Sequence, residues 1–112
     1  MVPSFWRVPT DNDEGGFEHS YASAWRKAGL KEAAVTATEM KAVQIGETQV
    51  KIVAHNRIET KAGNISQQVT YLINGDGRID ISTNVEVPAS VPPLARVGML
   101  LTLDKSFNKV EW

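Results

Sequence analysis

Ile65-Ser66-Gln67-Gln68-Val69-Thr70-Tyr71-Leu72-Ile73, Asn74-Gly75-Asp76-Gly77, and Arg78-Ile79-Asp80-Ile81-Ser82-Thr83-Asn84-Val85-Glu86-Val87 read as two strands joined by a tight turn. Ile65, Val69, Tyr71 and Ile73 oppose Ser66, Gln68 and Thr70; Ile79, Ile81, Val85 and Val87 alternate with Arg78, Asp80, Ser82, Asn84 and Glu86. A period of two sends neighbouring side chains to opposite faces of a strand. Asn74 to Gly77 tolerate positive φ, a strong hairpin signal. Polar residues in such strict alternation predict an antiparallel sheet with one wet face, or one lined by polar partners.

The same period continues outward. Val50, Ile52, Ala54 and Ile58 share one face and Gln49, Lys51, His55 and Arg57 the other, with turns at Gly46-Glu47 and at Lys61 to Asn64. Leu30 to Ile45, rich in Ala and Thr, alternates weakly and is read as a further strand. Past a loop at Pro88 to Pro93, Arg96 to Asp104 is read as a strand with Val97, Met99, Leu101 and Leu103 inward. Lys105 to Lys109 bend, and Val110 to Trp112 begin another element. A single helix is predicted over Ser20 to Ala28. Tyr21, Ala24, Trp25 and Ala28 fall on one face, Ser20 can cap the start and Gly29 the end. Turn signals about every ten residues imply an antiparallel meander belonging to a β-sandwich. The chain is therefore read as all-β and one domain: residues 1–19 a motif and loop, 20–29 a short helix, 30–112 the meander.

Composition narrows the function. With 112 residues, 42% apolar content and a net charge of -1, the chain is of ordinary globular type. No clustered basic face is present to hold nucleic acid. Zero cysteines rule out a disulfide scaffold or thiolate metal site and leave the compartment open. No apolar run reaches the roughly 20 residues of a membrane helix.

Phe5-Trp6-Arg7-Val8-Pro9-Thr10-Asp11-Asn12-Asp13 joins bulky aromatics to a polar bend that neither helix nor strand explains. It resembles the Phe-Trp-Arg-x-Pro-x-Asp-Asn-Asp signature of glycoside hydrolase family 2 β-galactosidases. Arg96-Val97-Gly98-Met99, Leu103, Phe107 and Val110-Glu111-Trp112 resemble that family's second block, at a fitting distance. Ala95 and Asp104 stand where relatives often carry proline. The resemblance implies the first part of the galactose-mutarotase-like β-supersandwich, in the small-chain region of the C-terminal domain, with Met1 an added start. It implies a parent that hydrolyses terminal β-D-galactosides with retention. The two glutamates that do this lie in an upstream barrel, and magnesium and sodium are bound outside this region. The chain itself is then non-catalytic, supports the cleft, and packs on the barrel and the remaining sandwich. Its unpaired strand edges invite self-association, and the parent belongs in a bacterial cytoplasm or periplasm. The alternatives are a free-standing carbohydrate-binding sandwich or a purely structural interaction domain.

The remaining candidates are weighed residue by residue. Asp11-Asn12-Asp13-Glu14-Gly15-Gly16 fails as a calcium loop, because Gly15 and Ala22 fall where oxygen ligands are required. Asp11 and Asp13 lack any device that raises one carboxyl pKa, so they are read as shaping the loop rather than as an acid–base pair. Asp13, Glu14, Gly15, Gly16 and Phe17 form a segment that the resemblance brings near the mouth of the galactoside pocket, with the Gly pair allowing motion. Phe5, Trp6, Arg7, Pro9, Asp11, Asn12, Asp13, Arg96 and Gly98 are the structural motif. In it Arg7 or Arg96 is expected to tie Asp11 or Asp13 to the sheet. Trp6 and Trp25 are read as core, while Trp112 opens the family's next loop. His19 and His55 are isolated and read as surface residues.

Overall fold

The computed structural model describes residues 1–111. In chain order it comprises β1 (Val2–Ser4), α1 (Asp11–Glu14), α2 (Tyr21–Ala28), β2 (Ala34–Ile45), β3 (Gln49–Thr60), β4 (Gly63–Asn74), β5 (Ile79–Glu86) and β6 (Gly98–Leu100). Short 3-10 turns occupy Phe17–His19 and Leu30–Glu32. Strands β2-β3-β4-β5 form an antiparallel meander in chain order, and β1 pairs β6 in a separate two-stranded ladder. The class is all-β and antiparallel, with helices at one end of the sheet.

Alternation along the strands becomes a single, mainly apolar face. Its rungs are Ile58–Ile65, Asn56–Gln67–Val85, Ala54–Val69–Thr83, Ile52–Tyr71–Ile81 and Val50–Ile73–Ile79. In β2 the register shifts between Ala37 and Glu39. Val35 and Ala37 therefore share this face with Met40 and Ala42, and the bulged residue reverses the local alternation. That reversal explains why the pattern of this stretch is weak in the sequence. The hairpin closes by two bonds that Asn74 donates, from its backbone N–H and its side-chain amide, to the Arg78 carbonyl, while the Gly77 N–H donates to the Asn74 carbonyl and Gly77 takes the left-handed conformation.

The core covers only one end of that face. Ile58 and Ile65 pack with Phe5, Ala22, Trp25, Ala28, Leu30 and Val91, flanked by Trp6, Val85 and Leu94. Gln67 is buried but satisfied: it accepts from Asn56 Nδ2 at 3.0 Å, and its own amide meets Thr83 Oγ1 at 3.2 Å and Met99 Sδ at 3.1 Å. Met99 thereby joins β6 to the sheet. Further along, Ile79 and Ile81 of β5 and Met40 of β2 are exposed. The molecule measures 57 × 32 × 18 Å, and its radius of gyration of 17.2 Å exceeds the about 13 Å of a compact chain this long. Its surface of 8149 Å² exceeds the roughly 6,100 Å² such a mass ordinarily shows.

Four readings need correction. The strand expected over Arg96–Asp104 is only Gly98–Leu100, and Val97, Leu101 and Leu103 are exposed rather than inward. Its only ladder partner among the described residues is the three-residue β1, so no backbone template extends it. The strand expected from Leu30 begins at Ala34, because Leu30–Glu32 coil into a 3-10 turn that buries Leu30 in the core. On α2 the buried face is Ala22, Trp25 and Ala28, with Tyr21 exposed, so the helix is rotated from the expected face to seat Trp25. The motif bend contains a helical turn, α1, at Asp11–Glu14. Asp104 does organise the bend after it, accepting from Phe107 and Ser106 N–H groups.

Truncating a wall of this one-ended core should be costly. Ile58→Ala is expected to lower unfolding stability by about 2–5 kcal/mol. Met40→Ala, on the same sheet face but exposed, should stay within about 0.5 kcal/mol. Urea unfolding of the two variants checks the contrast.

Candidate functional site

The motif residues converge beside α2. Pro9 and the extended Thr10 bring the chain into α1, and the Asp13 side chain turns back onto Thr10 and Arg7. Arg7 grips Asp13 in a two-pronged pair, Nη1 to Oδ2 at 2.6 Å and Nη2 to Oδ1 at 2.8 Å. The Thr10 backbone N–H and hydroxyl also donate to Oδ2, at 2.7 and 2.8 Å, as in one half of a capping box. Arg7 Nε donates to the Ala95 carbonyl at 3.3 Å, so one guanidinium spans 88 residues of sequence. Its carbon lies 5.2 Å from the centre of the Trp25 ring, a cation–π distance. Trp25 is itself pinned, its Nε1 donating to the Pro93 carbonyl at 2.8 Å, with Trp6 edge-on and Tyr21 stacked against it.

This arrangement decides the chemistry of Asp13. The Arg7 hydrogen bonds first, then the Thr10 N–H, hold its carboxyl well below the usual aspartate range, against the smaller effect of burial. Both oxygens are engaged and the group is ionised, which suits an anchor and disqualifies a general acid. Arg7 is correspondingly raised. Glu14 forms a two-pronged pair with Arg26, one contact at 3.0 Å, and its carboxyl is lowered by that partner.

Phe5 is buried and Trp6 half-buried, while Asp11 and Asn12 are exposed. Of the pairings considered, Arg7–Asp13 forms. Arg96 and Asp11 are not brought together; Arg96 lies against Gly98, where an added Cβ would sit 2.8 Å from its Nη2. Trp112 lies outside the described residues. Glu14 to Phe17 form the exposed rim beyond the anchor. Gly15 keeps an ordinary backbone, whereas Gly16 has φ +97° and Phe17 φ 52°. The left-handed region costs a non-glycine residue about 1–2 kcal/mol, and the Phe17 ring is 92% exposed.

The wet face of the sheet holds a second feature that residue-by-residue reasoning missed. A concavity of about 520 Å³ is lined by His55, Arg57, Ser66, Gln68, Asn84 and Glu86. These residues form two cross-strand rungs, His55–Gln68–Asn84 and Arg57–Ser66–Glu86. The signal was present in the strict polar alternation, but that these rungs line a concavity is visible only in three dimensions. Among the described residues no three His, Asp or Glu side chains converge as metal ligands.

A family profile described as beta galactosidase small chain matches residues 1–112. Three curated relatives carry the name beta-galactosidase. That of Priestia megaterium is 29% identical over 110 residues, covering 98% of this chain and 10% of the relative. That of Vibrio cholerae is 28% identical over 115 residues, covering 97% and 11%. That of Psychromonas ingrahamii is 31% identical over 116 residues, covering 97% and 11%. The chain thus spans about a tenth of the length of these relatives.

The anchor makes two measurable predictions. Because the folded pKa of Asp13 is depressed, the stability it contributes is fully present above the ordinary value near 3.9 and is lost as pH falls toward the folded value. Asp13→Asn should remove that acid-side slope in urea midpoints measured against pH. Gly16→Ala should destabilise the chain by about 1 kcal/mol, and Gly15→Ala should be tolerated.

Proposed function

Because this chain belongs to the β-galactosidase small-chain family, we propose that it is a non-catalytic β-sandwich segment of a retaining glycosidase acting on terminal β-D-galactosides. The observation that carries this reading is the family match over all of residues 1–112 combined with a span of about a tenth of the relatives. The physical state of the sheet supports it. A face that is mainly apolar over five rungs but covered over only part of them is suited to packing against further protein, here the upstream barrel and the rest of the sandwich. We assign the reactive glutamates, and the parent's magnesium and sodium, to those other segments.

In this reading the Arg7–Asp13 anchor positions a loop at the substrate cleft. Asp13 is the fixed end, Glu14 is steadied by Arg26, and Gly15, Gly16 and Phe17 form the rim. An exposed aromatic ring on a strained backbone is a feature that recurs at ligand-contacting sites, and an apolar ring face suits the C–H surface of a sugar.

The test is made in the intact parent enzyme. Phe17→Ala and Gly16→Ala should each lower kcat/KM for a chromogenic β-galactoside by about tenfold or more, a loss typical of misplaced substrate-positioning groups. Kinetics indistinguishable from wild type in both variants would remove the loop from the cleft. Hydrolysis by residues 1–112 alone would overturn the non-catalytic assignment.

A further inference from the structure

Arg96 is the one motif cation left unused by the anchor. Among the described residues it makes no hydrogen bond and no ion pair, although Arg7, from the same two sequence blocks, is fully engaged. The Arg96 side chain is exposed. Its guanidinium lies over the bare backbone of Gly98, with Nη2 2.8 Å from where a Cβ would sit, so a glycine there leaves room for this placement. The Arg96-x-Gly98 spacing therefore lets the cation rest against the backbone of β6.

That cation stands at a cleft of about 460 Å³ between β1, β2 and β6. Phe5, Trp6, Leu30 and Ile58 contribute its apolar walls, and Lys31 is a second cation without an ion-pair partner among the described residues. No acidic residue lines the cleft, and Arg7, the third cation there, is neutralised by Asp13. A cleft with apolar walls, two unmatched positive charges and no negative one is complementary to an acidic side chain carried beside an apolar one.

We propose that this cleft docks such an acidic segment, from the part of the parent polypeptide that lies outside residues 1–112, with its carboxylate on Arg96. The inference rests on the reading of the chain as a segment of a larger glycosidase. The relatives, about ten times as long, contain ample sequence to supply the occupant. Arg96 would then be a positioning residue, seating the small-chain region on its neighbour.

Hydrogen exchange in the intact parent protein tests this on peptides covering Pro3–Val8 and Leu94–Leu101. Arg96→Gln should speed exchange there by at least about tenfold, the loss expected when one member of a buried charge pair is removed. Arg96→Lys should recover part of the protection, and Lys31→Gln should cause a smaller loss. Arg57→Gln, on the opposite sheet face, should cause none. Salt on the order of 1 M, where the Debye length is about 3 Å, should weaken wild-type protection. Wild-type exchange rates in Arg96→Gln, or equal loosening in Arg57→Gln, would overturn the proposal. So would protection that depends on protein concentration, which indicates a second copy, or protection conferred only by added inorganic phosphate. A parent that lacks galactosidase activity yet shows the Arg96 effect would sink the proposed function and leave this inference standing.

Discussion

The Arg7–Asp13 pair is the constraint on which the arrangement of this chain turns. It closes α1 onto the segment before it, reaches the Ala95 carbonyl, and lies over Trp25, whose indole is held by Pro93. Three stretches far apart in sequence, Arg7 to Asp13, α2 and Pro93 to Ala95, thereby meet at one guanidinium and one ring. Arginine is required for this role. A lysine could not donate along two parallel lines to the carboxylate while still meeting a carbonyl and an aromatic face.

Around that point the fold is asymmetric. One end of the meander is closed by α2, Phe5, Leu30 and the loop carrying Val91, while the other carries an apolar face that stays half open. The bulge in β2 keeps that face continuous by switching which residues point toward it. Such a sheet is folded enough to hold a loop in place and unfinished enough to accept a neighbour. Both properties agree with membership of a family whose named relatives are about ten times longer.

The functional reading follows from how charges are used. Asp13 is ionised and fully engaged, so it holds geometry instead of moving protons. The rim beyond it ends in a strained, exposed phenylalanine. Arg96, by contrast, is exposed and has no ion-pair partner among the described residues. The two arginines of the motif thus divide the work, one turned inward to the fold and one turned outward.

Strand periodicity, the hairpin at Asn74–Gly77, the helix around Trp25 and the family signature were all legible in the amino acids alone, because each depends on neighbours a few residues apart. Tertiary structure alone decided that Arg7 and not Arg96 meets Asp13, that Asp11–Glu14 coil into a helical turn, that α2 buries Ala22 in place of Tyr21, and that β6 stops at Leu100. Apart from the local turn at Asp11–Glu14, each of these depends on distances between segments remote in sequence. A side chain's residue type states which bonds it can make; only the packing of α2, the sheet and the two motif blocks states which partner lies within reach.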